Sequence, residues 1–322
     1  MDSSNLRIQV LITIATLMLS FHARGDEPVA ADKKSDAPKR PDIYDRAADG
    51  EKQIAEALAK AKRDHKRVLL KFGANWCGWC HKLHDLFKSD KDIGRKLLYE
   101  YEVVYIDVDK VDGKPHNAAT VEKYGQPTKH GLPVLVVLDE DGKQLTTQET
   151  GSLEKGPAHD PAKVMAFLDK WKAEPADADA LLAAGLAQAK KESRAVFVDF
   201  SAPWCGWCRE LDKYLHRADV APIFDSAFVT VKIDVDRFKD GKEWNARHGG
   251  DQAGLPFIVI LDADGKRLAD GFAKPGQNIG CPVAPEEVAH FIKIIRQTAP
   301  KLSDEQIATL EKGLKRKTEP RP

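Results

Sequence analysis

The pattern of hydrophobic and polar positions predicts the same succession of helices and strands twice along the chain. Each occurrence starts with apolar residues at helical spacing. They are Ile54, Ala57, Leu58 and Ala61 in the first and Leu181, Leu182, Leu186 and Ala189 in the second. A nearly continuous apolar run follows at 68–72 and at 196–200. Such a run is typical of a strand buried on both faces, so each occurrence predicts a helix followed by a central strand.

The later elements of the two occurrences also match. A C-x-x-C motif opens a helix, a β-branched strand follows, and a helix and loop lead to a third strand. An Asp-Gly pair after the third strand, at 141–142 and at 264–265, predicts a hairpin turn. A last helix is predicted at 161–172 and at 285–297, because Pro is favoured in the first turn of a helix.

The residues themselves repeat as well as their pattern. The segments "VLLKFGANWCGWCHKL" and "VFVDFSAPWCGWCREL" place Cys205 128 residues after Cys77. "VYIDVD" and "VKIDVD" are offset by 127 residues, and the segments that contain "GLP" are offset by 123. Offsets that drift by only a few residues indicate two copies of one α/β fold.

Residues 26–322 divide into four parts around the repeat. We place the first repeat at 45–172 and the second at 176–298. Residues 26–44 form a leader that we expect to be flexible, because it is rich in Pro, Lys and Asp. The tail, 299–322, contains the capping-box sequence "SDEQ" and should hold a short helix.

Composition narrows the classes of partner. The chain has 322 residues, which suggests about two domains, and its 42% hydrophobic and 31% charged content is that of a globular protein. Fifty basic residues balance fifty acidic ones, so charge gives no reason to expect nucleic acid or an anionic membrane as a partner. No segment reaches the roughly 20 apolar residues of a membrane span.

The N-terminus has the pattern of a secretory signal peptide, which we assign to residues 1–25. The uncharged segment 8–21 follows Arg7, and Ala23 and Gly25 stand three and one positions before a cut at Asp26. An uncleaved anchor or a buried helix is the alternative. Cleavage would leave the mature protein in the periplasm or outside the cell, with no stable membrane insertion, and disulfides persist in such compartments.

The motif "CGWC" is compatible with several chemistries. Cys77 and Cys80, like Cys205 and Cys208, could form a redox disulfide, half of a zinc site or a structural disulfide. His81 after the first pair completes a c-type haem motif, but Arg209 stands at the matching place in the second repeat. A structural disulfide over so short a loop would constrain the unfolded chain little.

Both repeats resemble thioredoxin-like domains of the secreted type that carry W-C-G-W-C. The resemblance rests on Trp-Cys-Gly-x-Cys after a strand, a second strand ending in Asp, and Gly-x-Pro before a third strand. It implies two consecutive thioredoxin-like folds, each with a central mixed β-sheet flanked by helices. It also implies redox chemistry in which the first cysteine, at a helix N-terminus, attacks and the second resolves the mixed disulfide.

The resemblance further implies a substrate surface around the redox pairs. Pro133 and Pro256 match the family's cis-proline, and each follows a leucine, Leu132 or Leu255, where thioredoxin has a small β-branched residue. The tryptophans that flank the cysteines offer a flat apolar contact for a partner; for Trp76 and Trp204, packing in the core is the alternative. The flanking tryptophans are Trp76, Trp79, Trp204 and Trp207.

The two repeats differ beneath the redox pair. Asp199 and Lys232 match the family's buried aspartate and its lysine partner, and Asp199 would accept the proton of Cys208. The first repeat has Lys71 and Tyr105 at these places. Lys71 either stabilises thiolate or extends its ammonium to the surface.

Three other residues, two histidines and a cysteine, carry side chains that can take part in proton transfer or disulfide formation. His81 and His84 could shuttle protons, although a solvated helix face is the simpler interpretation. Cys281, the fifth cysteine, is expected to be a small buried residue, with an intermolecular disulfide as the alternative.

The sequence as a whole predicts an exported thiol–disulfide oxidoreductase. Cysteine-containing exported proteins or a redox partner protein would be its substrates, and it would need no cofactor and no metal. The alternative is a binding or scaffold module of the same fold whose cysteines stay permanently bridged.

Overall fold

A computed structural model of the chain describes residues 40–111 and 113–315. The predicted signal peptide, the leader as far as residue 39 and the tail from residue 316 lie outside the described residues. Within the described part, no helix combines the length and the apolar character needed to cross a membrane.

The first repeat contains five α-helices and eight strands among the described residues. Its helices are α1 (Gly50–Asp64), α2 (Gly78–Ser89), α3 (Lys91–Glu100), α4 (Ala118–Lys123) and α5 (Pro161–Trp171). Its main strands are β1 (Arg67–Gly73), β2 (Tyr101–Asp107), β5 (Val134–Leu138) and β6 (Gln144–Glu149). Short hairpins are formed by β3 (Lys110–Val111) with β4 (Lys114–Pro115) and by β7 (Glu154–Lys155) with β8 (Ala158–His159).

The second repeat has the same order of main elements. Its helices are α6 (Ala178–Glu192), α7 (Gly206–Leu215), α8 (Ala221–Ala227), α9 (Gly241–Arg247), α10 (Pro285–Thr298) and α11 (Asp304–Lys315). Its main strands are β9 (Ala195–Ser201), β10 (Phe228–Asp234), β11 (Phe257–Leu261) and β12 (Arg267–Asp270). One short hairpin is formed by β13 (Phe272–Lys274) with β14 (Gln277–Asn278).

Each repeat is built on a four-stranded mixed sheet. The strand order is β2-β1-β5-β6 in the first and β10-β9-β11-β12 in the second. The C-x-x-C strand pairs in parallel with the next main strand and antiparallel with the one after it. Both C-x-x-C strands are covered by helices on two faces, which is why they are almost entirely buried and apolar. The predicted fold class is therefore confirmed.

Two helices, α2 and α3, lie between the first redox pair and the second main strand, where the sequence analysis expected one. Asp90 stops α2 and starts α3, because its side chain accepts hydrogen bonds from the backbone N–H groups of Asp92 and Ile93. This capping interaction turns the chain between two helices.

The predicted helix of the tail is present and belongs to the core of the second repeat. Ser303 and Gln306 form the expected reciprocal hydrogen bonds at its start. Ile307, Leu310 and Leu314 are buried in the cluster that also contains Tyr214, whose hydroxyl donates to the carbonyl of Leu310.

Candidate active site

The two C-x-x-C motifs have the same local geometry. Cys77 and Cys205 are the N-caps of α2 and α7, and each forms a disulfide with the cysteine three residues later. The Sγ of Cys77 accepts from the N–H of Cys80 at 3.1 Å, and the Sγ of Cys205 accepts from Cys208 at 3.0 Å. An N-cap sulfur next to unpaired backbone donors and the positive end of the helix dipole is favoured as a thiolate.

The first cysteine of a pair is more exposed than the second only in the first repeat. Cys77 is 5% exposed and Cys80 is fully buried, whereas Cys205 and Cys208 are 2% and 3% exposed. The attacking role of the first cysteine therefore rests on its position as the helix cap, which both repeats share.

A leucine–proline segment lies beside each redox pair. The peptide bonds Leu132–Pro133 and Leu255–Pro256 are both cis, as the resemblance implied. Leu132 packs against Cys77 and Cys80, and its carbonyl lies 3.7 Å from the Sγ of Cys77. Leu255 packs against the second pair in the same way.

The tryptophan before each pair faces solvent. Trp76 is 67% exposed and Trp204 56% exposed, so the alternative that they pack in the core is wrong. Each indole N–H donates to an aspartate after the second main strand, Trp76 to Asp109 and Trp204 to Asp236. Each repeat thus presents a fixed apolar surface next to its first cysteine.

The tryptophan inside each motif differs between the repeats. Trp79 packs edge-on against the ring of His159, and the ammonium of Lys82 lies 4.0 Å from the ring centroid of Trp79. Trp207 is 43% exposed and lines a shallow groove formed with the leucine–proline segment and the stretch around Cys281. Of the two tryptophans inside the motifs, that of the second repeat is therefore the more exposed.

Lys71 is completely buried beneath the first pair. Its Nζ donates to the hydroxyl of Tyr44 at 2.8 Å and to the carbonyl of Cys80 at 3.0 Å, so the alternative in which it extends to the surface is wrong. Burial lowers its pKa to about 7, and the carboxylate of Asp85 opposes this effect only in part. A lysine that can lose its proton near neutral pH thus lies under Cys80.

Tyr44 is a site residue that the sequence analysis placed in the leader. It is 1% exposed, and Asn75 Oδ1 holds this segment by accepting from the N–H groups of Ile43 and Tyr44. Its ring fits because residue 73 is a glycine: a Cβ there would overlap the Tyr44 hydroxyl and lie 2.7 Å from Cys80 Sγ. Ser201 takes the place of Gly73 in the second repeat. This glycine is the one feature of the sequence that could have indicated a side chain packed against the first pair.

Asp199 is buried at the position that Lys71 has in the first repeat. Burial raises its pKa to about 7; Lys232 opposes the increase, and Asp212 and Asp64 add to it. Its Oδ1 has no hydrogen-bond partner. An acid that exchanges its proton near neutral pH therefore lies under the second pair.

Lys232 is paired differently from what the resemblance implied. Its Nζ lies 2.6 Å from Asp64 Oδ1, in the first repeat, and 3.4 Å from Asp212 Oδ1. No ion pair between Lys232 and Asp199 is formed within the described part of the chain. Burial alone would lower the pKa of Lys232, but the neighbouring carboxylates raise it, so the ammonium is firmly charged.

His81 does not lie on a solvated helix face, which corrects our expectation. It is 6% exposed, and its Nε2 is 2.8 Å from the carbonyl oxygen of Asn75. Cys281 is 4% exposed, as expected of a buried residue.

Comparison with known proteins decides the family. The model of the family described as thioredoxin-like matches residues 49–140 and 177–263, which together make up more than half of the chain. The chain belongs to the thioredoxin-like family. Each match contains one C-x-x-C pair, so the thioredoxin-like unit occurs twice.

Curated relatives of this thioredoxin-like chain include two named for disulfide chemistry. A disulfide bond reductase, DsbH, from Chlamydia pneumoniae is 33% identical over 94 residues, covering 28% of this chain and 57% of that protein. Protein disulfide-isomerase 1 from Dictyostelium discoideum is 26% identical over 247 residues, covering 72% of this chain and 56% of the relative. The chain thus spans little more than half the length of these relatives.

Among solved structures, a disulphide isomerase from Xylella fastidiosa Temecula1 is 34% identical to this thioredoxin-like chain. The match covers 40% of this chain and 95% of that one, with a TM-score of 0.36.

Proposed function

We propose that the protein is a thiol–disulfide oxidoreductase with two redox sites, each exchanging disulfides with cysteines of exported proteins or of a redox partner protein. The observation that carries the proposal is the N-cap position of the first cysteine in both repeats, beside a leucine–proline segment and an exposed tryptophan. Buried groups that titrate near neutral pH beneath both pairs add support.

The first step is attack on a substrate disulfide. The thiolate of Cys77 or Cys205 forms a bond to one substrate sulfur, and the substrate disulfide breaks. The other substrate sulfur leaves as a thiolate and takes a proton. The exposed faces of Trp76 and Trp204 would hold the apolar residues around the substrate cysteine.

The second step resolves the mixed disulfide. In the second repeat, the thiol of Cys208 gives its proton to Asp199, and the new thiolate attacks the Sγ of Cys205. The disulfide of the repeat forms, and the second substrate sulfur is released as a thiolate. The substrate gains two electrons and becomes a dithiol; the reverse sequence oxidises a dithiol.

The first repeat would resolve its mixed disulfide with an amine. Once Cys77 is bonded to substrate it carries no charge, and buried Lys71 then releases its proton near neutral pH. The neutral amine, which contacts the carbonyl of Cys80 and the hydroxyl of Tyr44, is the base available beneath the resolving cysteine.

The double substitution Cys77→Ser and Cys205→Ser is expected to reduce dithiol-dependent insulin reduction to the uncatalysed rate. Conversely, Cys80→Ser and Cys208→Ser should accumulate mixed disulfides, because the attacking thiolate remains and the resolving thiol is gone. Non-reducing gels compared with Cys281→Ser as the control provide the measurement. Equal trapping by the Cys77→Ser variant would contradict the assignment of the attacking and resolving cysteines, and an inactive wild type would favour a scaffold with permanent disulfides.

Export to the periplasm or out of the cell is the second part of the proposal. It is supported by the apolar segment 8–21, followed by Ala23 and Gly25. Protein recovered from the exported fraction is expected to begin at or near Asp26, as N-terminal sequencing would show. Retention of the segment 8–21 in the mature protein would contradict cleavage.

A further inference from the structure

The end of α1 in the first repeat is fastened to the second repeat. The guanidinium of Arg237 donates to the carbonyls of Asp64 and His65, at 3.0 and 2.9 Å, and lies 3.4 Å from a carboxylate oxygen of Glu100. These are the last carbonyls of α1, which have no partner within the helix and attract a cation. The side chain of Asp64 is therefore held at a defined place on the second repeat.

From that place Asp64 binds the lysine next to the second redox site. Its carboxylate and that of Asp212 form ion pairs with the ammonium of Lys232, whereas Asp199 forms none with it among the described residues. Arg63 of α1 and His216, the residue after α7, lie within 3.6 Å of Asp212, and the ammonium groups of Lys60 and Lys66 favour the carboxylate of Asp64. Asp234 is the charged residue at the end of the strand that carries Lys232.

Two cavities connect these charges with the redox chemistry. A cleft of about 580 Å³ between the repeats is lined by Asp64, Asp212 and Lys232 together with Cys208. A second cavity of about 280 Å³ is lined by Asp199 and again by Asp212 and Lys232. Arg63, Asp212, His216 and Lys232 line both cavities, so the ion pairs of Lys232 adjoin the cavity that Cys208 lines and the cavity that Asp199 lines.

We propose that Asp64 is a positioning residue for the second redox site: by holding Lys232, it keeps the ammonium away from Asp199, so that Asp199 can take the proton of Cys208. The inference rests on the proposed oxidoreductase function. The first repeat thereby sets the pH range over which the second repeat resolves its mixed disulfides.

Removing the charge of Asp64 is expected to lower the pKa of Asp199. Asp64→Asn removes a nearby negative charge and lets Lys232 approach Asp199, and both changes favour the carboxylate. The expected shift is about one pH unit downward. It can be read directly from the carboxyl carbon signals of aspartate-labelled full-length protein, with the signal of Asp199 identified by its loss in Asp199→Asn.

Two variants keep the test specific. Glu100→Gln removes a carboxylate from the same interface, one that pairs with Arg237 instead of Lys232, and should leave the titration of Asp199 unchanged. Asp64→Glu keeps the charge and should restore most of the wild-type value. Equal shifts in Asp64→Asn and Glu100→Gln, or no shift in Asp64→Asn, would overturn the proposal.

A kinetic measurement relates the titration to the chemistry. In full-length protein with Cys77→Ser and Cys80→Ser, a nitrothiobenzoate group on Cys205 is released when Cys208 attacks. The acid limb of the release rate should move to lower pH in Asp64→Asn by the same shift. If wild-type protein fails to reduce insulin, the proposed function fails, while the carboxyl titration still decides whether Asp64 acts on Asp199.

Discussion

Replacing Lys71 with Met is expected to raise the free energy of unfolding of the oxidised protein by about 3 kcal/mol at pH 6. In the unfolded chain the amine has its ordinary pKa, whereas burial lowers the pKa to about 7 in the folded state. Below pH 7 the folded protein carries the full cost of a buried ammonium, about 5 kcal/mol from the difference between the two values. Loss of the hydrogen bonds of Lys71 offsets about 2 kcal/mol of that gain.

The sign of the pH dependence follows from proton uptake. Between pH 7 and the ordinary range of lysine, the unfolded chain binds more protons than the folded one, so wild-type stability increases with pH. The advantage of Lys71→Met should therefore shrink as the pH rises to 9. Denaturant unfolding followed by fluorescence at pH 6 and pH 9 measures both values.

Matched variants distinguish this effect from a general gain in hydrophobicity. Lys66→Met also removes a buried lysine, but Lys66 is paired with Glu102 and bonded to the carbonyl of Leu98, so this variant should lose stability. Asp199→Asn should show the opposite pH dependence, because a buried carboxyl with a pKa of about 7 costs stability only as the pH rises. A loss of stability in Lys71→Met at pH 6 would contradict the conclusion that burial of the Lys71 ammonium destabilises the folded protein.

Cys77 is expected to be more acidic than Cys205 by about one pH unit or more. The helix-cap contacts of the two sulfurs are the same within 0.1 Å, so the buried group beneath each pair makes the difference. When Cys77 ionises, its negative charge favours the ammonium of Lys71, and the two stabilise each other. The carboxyl of Asp199 has the opposite effect on Cys205.

Thiolate absorbance of full-length protein, with the other pair changed to serine, measures each acidity. Lys71→Asp should raise the pKa of Cys77 toward that of Cys205 and make the first pair less oxidising, by about 30 mV for each tenfold change in equilibrium constant. Lys66→Asp is the control, since Lys66 lies away from the pair and contacts Glu102. If Cys77 titrates at or above Cys205, the asymmetry between the repeats has no chemical consequence.

The repeat made most of the fold predictable from the sequence. Two aligned copies of an apolar strand, a C-x-x-C helix and a Gly-Leu-Pro segment locate both sheets, while the cis state of the two prolines was implied by the resemblance to thioredoxin-like domains. The break between α2 and α3 was missed because it depends on a single capping side chain, Asp90, which ends one helix and begins the next. Local side-chain hydrogen bonds of this kind override periodicity.

The site was predictable where its residues belong to the motifs and unpredictable where distant segments meet. Lys71 and Asp199 were identified by comparing the repeats, but only the packing shows that Lys71 is buried. Tyr44 and Asp64 act on their sites from outside the motifs, and Asp64 lies 168 residues from Lys232 in sequence. Neither contact has a sequence spacing from which it could be inferred.

Tyr44 lies outside the stretch, 49–140, by which the first repeat is matched to its family. A fragment cut to the matched boundaries would lack the ring that fills the space under Cys80 and the hydroxyl that accepts from Lys71. Water could then solvate the amine, and its pKa would return toward the ordinary lysine value. The shortest part of the chain that keeps the first redox site intact is therefore longer than the stretch that the family model matches, and moving the first repeat into another protein requires the segment from residue 43 onward.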